Sequence, residues 1–489
     1  MSFLRRRGEC VVRACAKLEK TMKNVKALSL AVAIAVLVTS CTFPAKTVQV
    51  PTAPPKPTGT MVIPSPVTTR AKATSIRISP FTPSPFPSST NTSTPASAPS
   101  ATSTRTPTPV PPTVTPSSTP VPPTPTKAPA GNPNIPFGNV MTSPDYGIQA
   151  FLWWRPGVAD RDLGLIKEAG FRWVKQWFAW KDIEIAPGKY DWSHADRIVK
   201  QVHDEFRLKL LARTDRAPSW AGEPPEDAKA YADFLHAMAL RYKGRIQAYQ
   251  IWNEPNLARE WGGKRPDPAG YARMLKLAYQ AIKSADPDAI VISAGMSPTG
   301  TNDQTAMPDD LYIEELYKAM GNNSDGYFDM LGVHAAGYKA PPELDPAEAK
   351  ANKPLYGGER FFCFRHVEDI RKIMVAHGDA GKRVAILEFG WTSDKVHPSY
   401  SWHAVSEKQK ADYIVRAFKW AKEHWTPWIA VMTLIYMPDS DWTEKDEQYW
   451  WSITRPMKIN EWKPLPAYIE VCEYLNSLKG QKCPKAPKN

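Results

Sequence analysis

From Asp145 onward, short apolar runs alternate with longer stretches in which apolar residues fall every three or four positions. The short runs predict strands at Tyr146–Trp153, Trp173–Phe178, Lys209–Arg213, Ala248–Asn253, Ala289–Gly295, Met330–His334, Val384–Glu388 and Ala430–Ile435. The periodic stretches predict helices at Arg161–Ala169, His194–Glu205, Asp227–Tyr242, Ala269–Ala285, Asp309–Met320, Arg360–His377, Glu407–His424 and Leu465–Leu478. Eight strands alternating with eight helices predict an α/β fold, a (β/α)8 TIM barrel over residues 141–480. A doubly wound open sheet is the alternative, but no Gly-rich dinucleotide turn follows the first strand.

Residues 42–140 break this pattern, being mostly Pro, Thr, Ser and Ala. Such a stretch buries too little apolar surface to offset its ordering entropy, so a disordered Pro/Thr/Ser-rich linker is expected before the barrel. Ahead of it, MKNVKALSLAVAIAVLVTSC (Met22–Cys41) has a basic start, a short apolar run and small residues before a cysteine. That is a secretory signal layout, with Met22 the expected start. Its Val-Thr-Ser-Cys ending resembles the lipobox of bacterial lipoproteins, which implies a lipidated Cys41 and an extracellular, membrane-anchored domain on a stalk. Residues 481–489 form a C-terminal tail.

Charge modifies one inference. The chain carries a formal +13, yet 47 of its 62 Lys/Arg and 47 of its 49 Asp/Glu lie beyond residue 140. The barrel region is therefore neutral, and no nucleic-acid face is indicated. Of the six cysteines, Cys472 and Cys483 are spaced so that a bond would close a short loop, and none has metal-site spacing.

Barrel enzymes build their sites where the strands end. Strand four ends in Asn253-Glu254 (IWNEPN), strand six in His334 (LGVHAAGY), strand seven in Glu388 (AILEFGW), and strand three leads into Arg213 and Asp215. Two carboxylates at the mouths of strands four and seven face each other across a barrel. A retaining glycosidase needs such a pair, about 5–5.5 Å apart, one attacking the anomeric carbon and one protonating the leaving oxygen. The two pKa values must be pushed apart, and Trp252 beside Glu254 is expected to raise that carboxyl. The bland alternatives are ion pairs, Glu254 with Arg213 and Glu388 with Lys175.

The Trp252–Pro255 stretch WNEP, with a second Glu ending a later strand in LEFGWTS, resembles glycoside hydrolase clan A, in particular its cellulase-like and β-xylosidase-like members. IAPGKYDWSHADRIV (Ile185–Val199) resembles the segment after their second strand. The resemblance implies Glu254 as acid/base, Glu388 as nucleophile, and Asn253 as partner of the sugar 2-hydroxyl. It departs at Tyr338, four residues after His334 rather than two, and at the end of strand eight. There Tyr436 stands where relatives carry Trp, with Trp442 further into the loop.

His334, Arg213, Tyr338, Tyr436 and the loop tryptophans Trp177, Trp391 and Trp442 complete the candidate substrate-binding set, with Trp220 and Trp261 as further stacking candidates. The acid-rich stretch DSDWTEKDE (Asp439–Glu447) reads as solvated. No Gly-x-Ser-x-Gly, phosphate loop or His-Glu-x-x-His is present, and no cofactor or metal is implied. The resulting expectation is a monomeric, surface-displayed retaining hydrolase of a β-linked oligo- or polysaccharide. A carbohydrate-binding lipoprotein and a transglycosylase are the alternatives.

Overall fold

In a computed structural model, residues 140–461 and 463–484 are described. The expected signal segment, Cys41 and nearly all of the linker lie outside them. Eight strands close a parallel barrel in the order β1-β8-β7-β6-β5-β4-β3-β2. They are β1 (Asp145–Ala150), β2 (Trp173–Ala179), β3 (Lys209–Asp215), β4 (Ala248–Ile251), β5 (Ile290–Ile292), β6 (Met330–Ala336), β7 (Arg383–Gly390) and β8 (Ile429–Leu434). Each is followed by a helix: α1 (Pro156–Glu168), α2 (Ser193–Val199), α3 (Ala228–Arg241), α4 (Pro268–Ala285), α5 (Asp309–Ala319), α6 (Val367–Ala376), α7 (Glu407–His424) and α8 (Pro466–Ser477). The (β/α)8 expectation is met strand for strand.

Local chemistry explains where the helices begin. Asp227 and Asp267 accept backbone N–H groups at the starts of α3 and α4, and Pro268 fills the first turn of α4. Ser406 and Gln409 form a capping box on α7. The helix expected from Arg360 starts only at Val367, because Cys363 is extended (φ −152°) and residues 364–366 form a 3-10 turn. Cys472 and Cys483 are joined as a disulfide that ties α8 to the tail.

The strands are buried on both faces, which suits a parallel sheet covered by helices. Side chains alternate between a large layer under the helices and a smaller interior cluster of Trp173, Leu211, Ala248, Ile290, Ile292, Met330, Ala385, Leu387 and Val431. Following the inward positions along β2, Trp173 gives way to Lys175; along β3, Leu211 gives way to Arg213. The barrel interior is thus apolar below and charged at the strand ends, where a site can form.

One buried ionic cluster lies apart from that site. His366, at the start of α6, places Nε2 2.9 Å from Asp309 of α5 and Nδ1 3.3 Å from Asp369. Burial opposes its charge, but the two carboxylates outweigh burial and push it up to about 10. A pKa raised on folding contributes stability fully present below the ordinary value near 6.5 and lost as pH climbs through about 10. At pH 6, His366→Leu should lower Tm by on the order of 5 °C or more. The gap to wild type should close toward pH 10 in a thermal melt; a pH-independent gap would show that only packing was lost.

Candidate active site

Glu254 is held by an unusual turn. After Ile251 ends β4, Trp252 and Glu254 both take left-handed backbone, with φ of 68° and 42°. Each such residue costs on the order of 1–3 kcal/mol and persists only where its surroundings dictate it. Trp252 supplies that constraint. Its backbone N–H donates to Thr214 O (2.9 Å) and its indole N–H to Glu260 O (2.8 Å), while the buried ring meets Tyr231 and Trp261 edge-on. Glu254 N–H donates to Gly295 O at 3.1 Å. The tryptophan beside the acid therefore pins the turn that aims the acid inward.

Glu388 reaches the interior by a different device. In β7, Ala385 and Leu387 point inward and Ile386 outward, so strict alternation would send Glu388 to the outer layer. The register slips instead: Ile386 pairs with Val333 but Glu388 with His334, and a slip also occurs against β8. This bulge re-aims one side chain, and Glu388 joins Leu387 on the inside.

There Lys175 Nζ lies 2.9 Å from Glu388 Oε1 and also donates to Leu387 O at 3.0 Å. Arg213 lies 3.5 Å from the same oxygen and is bonded through Nε to Asp215 at 2.6 Å. Burial would raise the Glu388 carboxyl, but Lys175, His334 and Arg213 outweigh it and hold it at about 2. Burial takes Lys175 down to about 8, so the pair stays ionised between those values. The Lys175–Glu388 ion pair expected as the alternative reading of Glu388 is therefore present. Arg213 pairs with Glu388 and Asp215 rather than with Glu254.

Removing one member of a buried pair leaves the other uncompensated. Lys175→Met should therefore raise the Glu388 carboxyl and move the acid limb of any kcat/KM profile upward from about 2. A thermal melt should record a lower Tm as well. An unmoved acid limb would mean that Lys175 does not set the ionisation of Glu388.

Glu254 departs from expectation. Burial raises it, but His334 Nδ1 at 3.0 Å from Oε1 and Arg259 at 3.3 Å from Oε2 prevail, and the carboxyl is lowered. The rise expected from burial beside Trp252 is present but outweighed by these two partners. Glu388 acts in the raising direction, so the two acids sense each other. One oxygen of each, with a ring nitrogen of His334, all lie within 4.8 Å of one another.

His334 fits because Gly295 is a glycine: a Cβ there would come within 2.2 Å of the imidazole. Asn253 accepts from Gln250 at 3.2 Å, while its Nδ2 and the Nε2 of His334 are buried with no partner among the described residues. Donors so placed suit a ligand's hydroxyls. Trp177 is half-buried, its indole N–H bonded to Asp215 and its ring under Arg213. The Tyr436 phenol is pushed well above its ordinary range by burial and then by Glu388 and Glu447. Trp442 packs edge-on against Phe151 and Tyr436.

Two candidates fall elsewhere. Trp391 is fully buried, donates to Ala340 O at 2.9 Å and presses on Gly337, so it has no free face for a sugar. Tyr338 packs among Phe361, Phe362 and His403, and burial first, then Asp309 and Glu254, push its phenol up.

Arg259, Glu260 and Glu447 escaped the sequence reading. Arg259 touches Glu254 and approaches Glu260 at 3.8 Å. Glu447, read as part of a solvated loop, is buried and raised to about 8. In the same loop Asp439 and Asp441 are ion-paired to Arg155.

A parallel (β/α)8 barrel with two glutamates meeting at the ends of β4 and β7 is the arrangement used by barrel glycosidases. The glycoside hydrolase 42 family, described as beta-galactosidase, matches residues 150–260, a span that contains Glu254 but not Glu388. The fold is similar to a glucosidase from Croceicoccus marinus (11% identity, 69% of this chain and 68% of that one, TM-score 0.51). Also similar are a family 39 glycoside hydrolase from Bacteroides cellulosilyticus WH2 (20%, 69% and 64%, 0.49) and GH5_18 from Streptomyces cattleya (13%, 71% and 82%, 0.49). The chain spans 64% of the family 39 enzyme's length. No curated protein matches it in sequence. The resemblance to glycoside hydrolase clan A is thus met in a family match and in a shared fold.

Proposed function

We propose that this chain is a retaining glycoside hydrolase of a β-linked glycan. The observation that carries the reading is the unequal support of two adjacent carboxyls. Glu388 has a lysine and an arginine at its oxygen, whereas Glu254 has a histidine and a partly exposed arginine. The better-neutralised carboxylate attacks C1; the C1–O bond breaks as Glu254 gives its proton to the departing oxygen. Loss of the Glu388 charge in the glycosyl-enzyme then lowers Glu254 further, and Glu254 removes a proton from the water that opens the C1–Glu388 bond. Asn253 Nδ2 is suited to the 2-hydroxyl, and the donors around the pair favour the oxocarbenium-like transition state.

The same three groups could hold a divalent cation, but Lys175 and Arg213 already neutralise Glu388, and a cation there would face both. The signal-like segment, Cys41 and the Pro-rich stretch support display of the barrel on a membrane-anchored stalk.

The test is cleavage of a panel of β-glycans and aryl β-glycosides, with NMR of the first-formed anomer. A β-anomer supports double displacement. An α-anomer would mean inversion, binding without cleavage would leave a carbohydrate receptor, and longer products would indicate a transglycosylase.

A further inference from the structure

We infer that the end of the barrel opposite the two glutamates carries a binding pocket for a phosphate group, free or on the headgroup of an anionic lipid. The inference stands apart from the hydrolase reading and concerns the other pole of the fold.

A pocket of about 310 Å³ opens where the starts of β2 and β3 meet the ends of α1 and α8. That volume lies at the lower end of the range for ligand sites. Five cations line it, Lys167, Arg172, Arg207, Lys209 and Lys479, and among the described residues no carboxylate does. Phe171 and Leu208, both buried, supply its apolar wall. Strands begin here, whereas Glu254 and Glu388 stand where strands end.

The five charges are not paired off. Among the described residues only Arg172 meets a carboxylate, Asp145 at 3.3 Å. That oxygen is already shared, accepting from the Trp173 indole at 2.9 Å and the Thr142 N–H at 3.3 Å. Lys479 Nζ donates to Gly170 O at 3.0 Å and Lys209 Nζ to Val140 O. Neutral carbonyls thus fix both ammonium groups while leaving each further donors. Elsewhere Arg241, Arg360 and Arg416 lie against carboxylates, and residues beyond 140 balance at 47 basic and 47 acidic. The cluster is therefore a local excess. Arg207 even takes left-handed backbone (φ 57°), a conformation that ordinarily goes to glycine.

Cations gathered against apolar surface oppose one another. Burial, and after it Arg172, lowers both Lys209 and Lys479, with Asp145 acting the other way. An anion entering the pocket would relieve that repulsion. A dianion with several oxygens engages more of these cations than one carboxylate can, and guanidinium forks and ammonium groups both suit phosphate. The chain ahead of the barrel cannot supply it, since residues 42–139 hold seven Lys/Arg and no Asp or Glu. The anion comes from outside.

The test titrates the full chain calorimetrically with sodium pyrophosphate and with inorganic phosphate, and sediments it with phosphatidylglycerol vesicles against phosphatidylcholine vesicles. Lys167→Gln/Arg207→Gln removes two exposed pocket cations; Lys350→Gln/Lys408→Gln removes two exposed cations outside the pocket. The pocket pair should weaken binding roughly tenfold or more, and the control pair by less than about twofold. The basic segment before the barrel is the same in all three proteins, so the difference between variants reads the pocket. Without ligand the pocket variant should melt at or above the wild-type Tm, because repulsion is relieved; lost binding then does not reflect unfolding.

Pyrophosphate or phosphate binding that the pocket variant loses supports a soluble ligand. A vesicle difference without binding of either free anion supports the lipid headgroup. Equal weakening by both pairs of substitutions, or binding of no probe, would overturn the pocket.

Discussion

Glu388→Gly should lower kcat/KM by about ten-thousandfold or more, and sodium azide should restore part of the loss. The substitution removes the group that would form the covalent bond to C1 and leaves a gap among buried cations. Lys175 and Arg213, at 2.9 Å and 3.5 Å from the missing oxygen, would face an empty, positively charged niche of carboxylate size. A small anion is drawn there for the same electrostatic reason that holds Glu388 at about 2. Azide then attacks C1 while Glu254 still protonates the leaving group, so the product is a glycosyl azide of inverted configuration, readable by NMR. Without the water-activating second step, that product accumulates. Formate, which mimics the carboxylate itself, should also restore turnover. A Gly variant with near wild-type rate, or rescue yielding retained configuration, would remove Glu388 from the nucleophile's role.

Much of this was legible in one dimension, for reasons of period. Eight apolar runs and eight amphipathic stretches could be placed because strands need period two or a continuous run, and helices need three-to-four spacing. Glu254 and Glu388 stood out because a carboxylate at the end of an apolar run is costly unless used or paired. What escaped depends on register and long-range contact. The bulge that turns Glu388 inward breaks the very alternation that periodicity relies on. Trp391 reads as a loop indole three residues from Glu388, yet its indole N–H is met by Ala340, 51 residues away. Tyr338 was placed by nearness in sequence to His334, whereas its left-handed backbone (φ 52°) turns it into an aromatic cluster. Glu447 reads as solvated among acids, yet it is buried, and burial raises its carboxyl against the lowering hydrogen bond of Tyr400. Arg259 gave no signal, because its importance comes from bending back to an acid five residues earlier.

Glu254→Ala should cost about a thousandfold in kcat/KM for substrates with poor leaving groups and far less for dinitrophenyl glycosides, whose leaving oxygen needs no proton. With the latter, release of the sugar becomes slow, since the base for water is gone, and a burst of phenol should appear. The pH profile carries the sharper consequence. On the proposed mechanism, activity needs Glu254 protonated and Glu388 ionised. Glu388 is held at about 2, and Glu254 is drawn below the ordinary 4.5 by His334 and Arg259. For the free enzyme, kcat/KM therefore falls as pH drops through about 2 and falls again as pH rises through the Glu254 value, giving an acidic optimum. Arg259→Gln deletes one lowering charge, so the alkaline limb should move to higher pH while the acid limb stays. Glu254→Ala should abolish the alkaline limb with activated substrates. If instead that limb stands near 8 in wild type and survives in Glu254→Ala, the proton comes from another carboxyl. Glu447, raised to about 8 by burial and within the field of Glu254, would then be the donor, and Glu254 would serve to orient it.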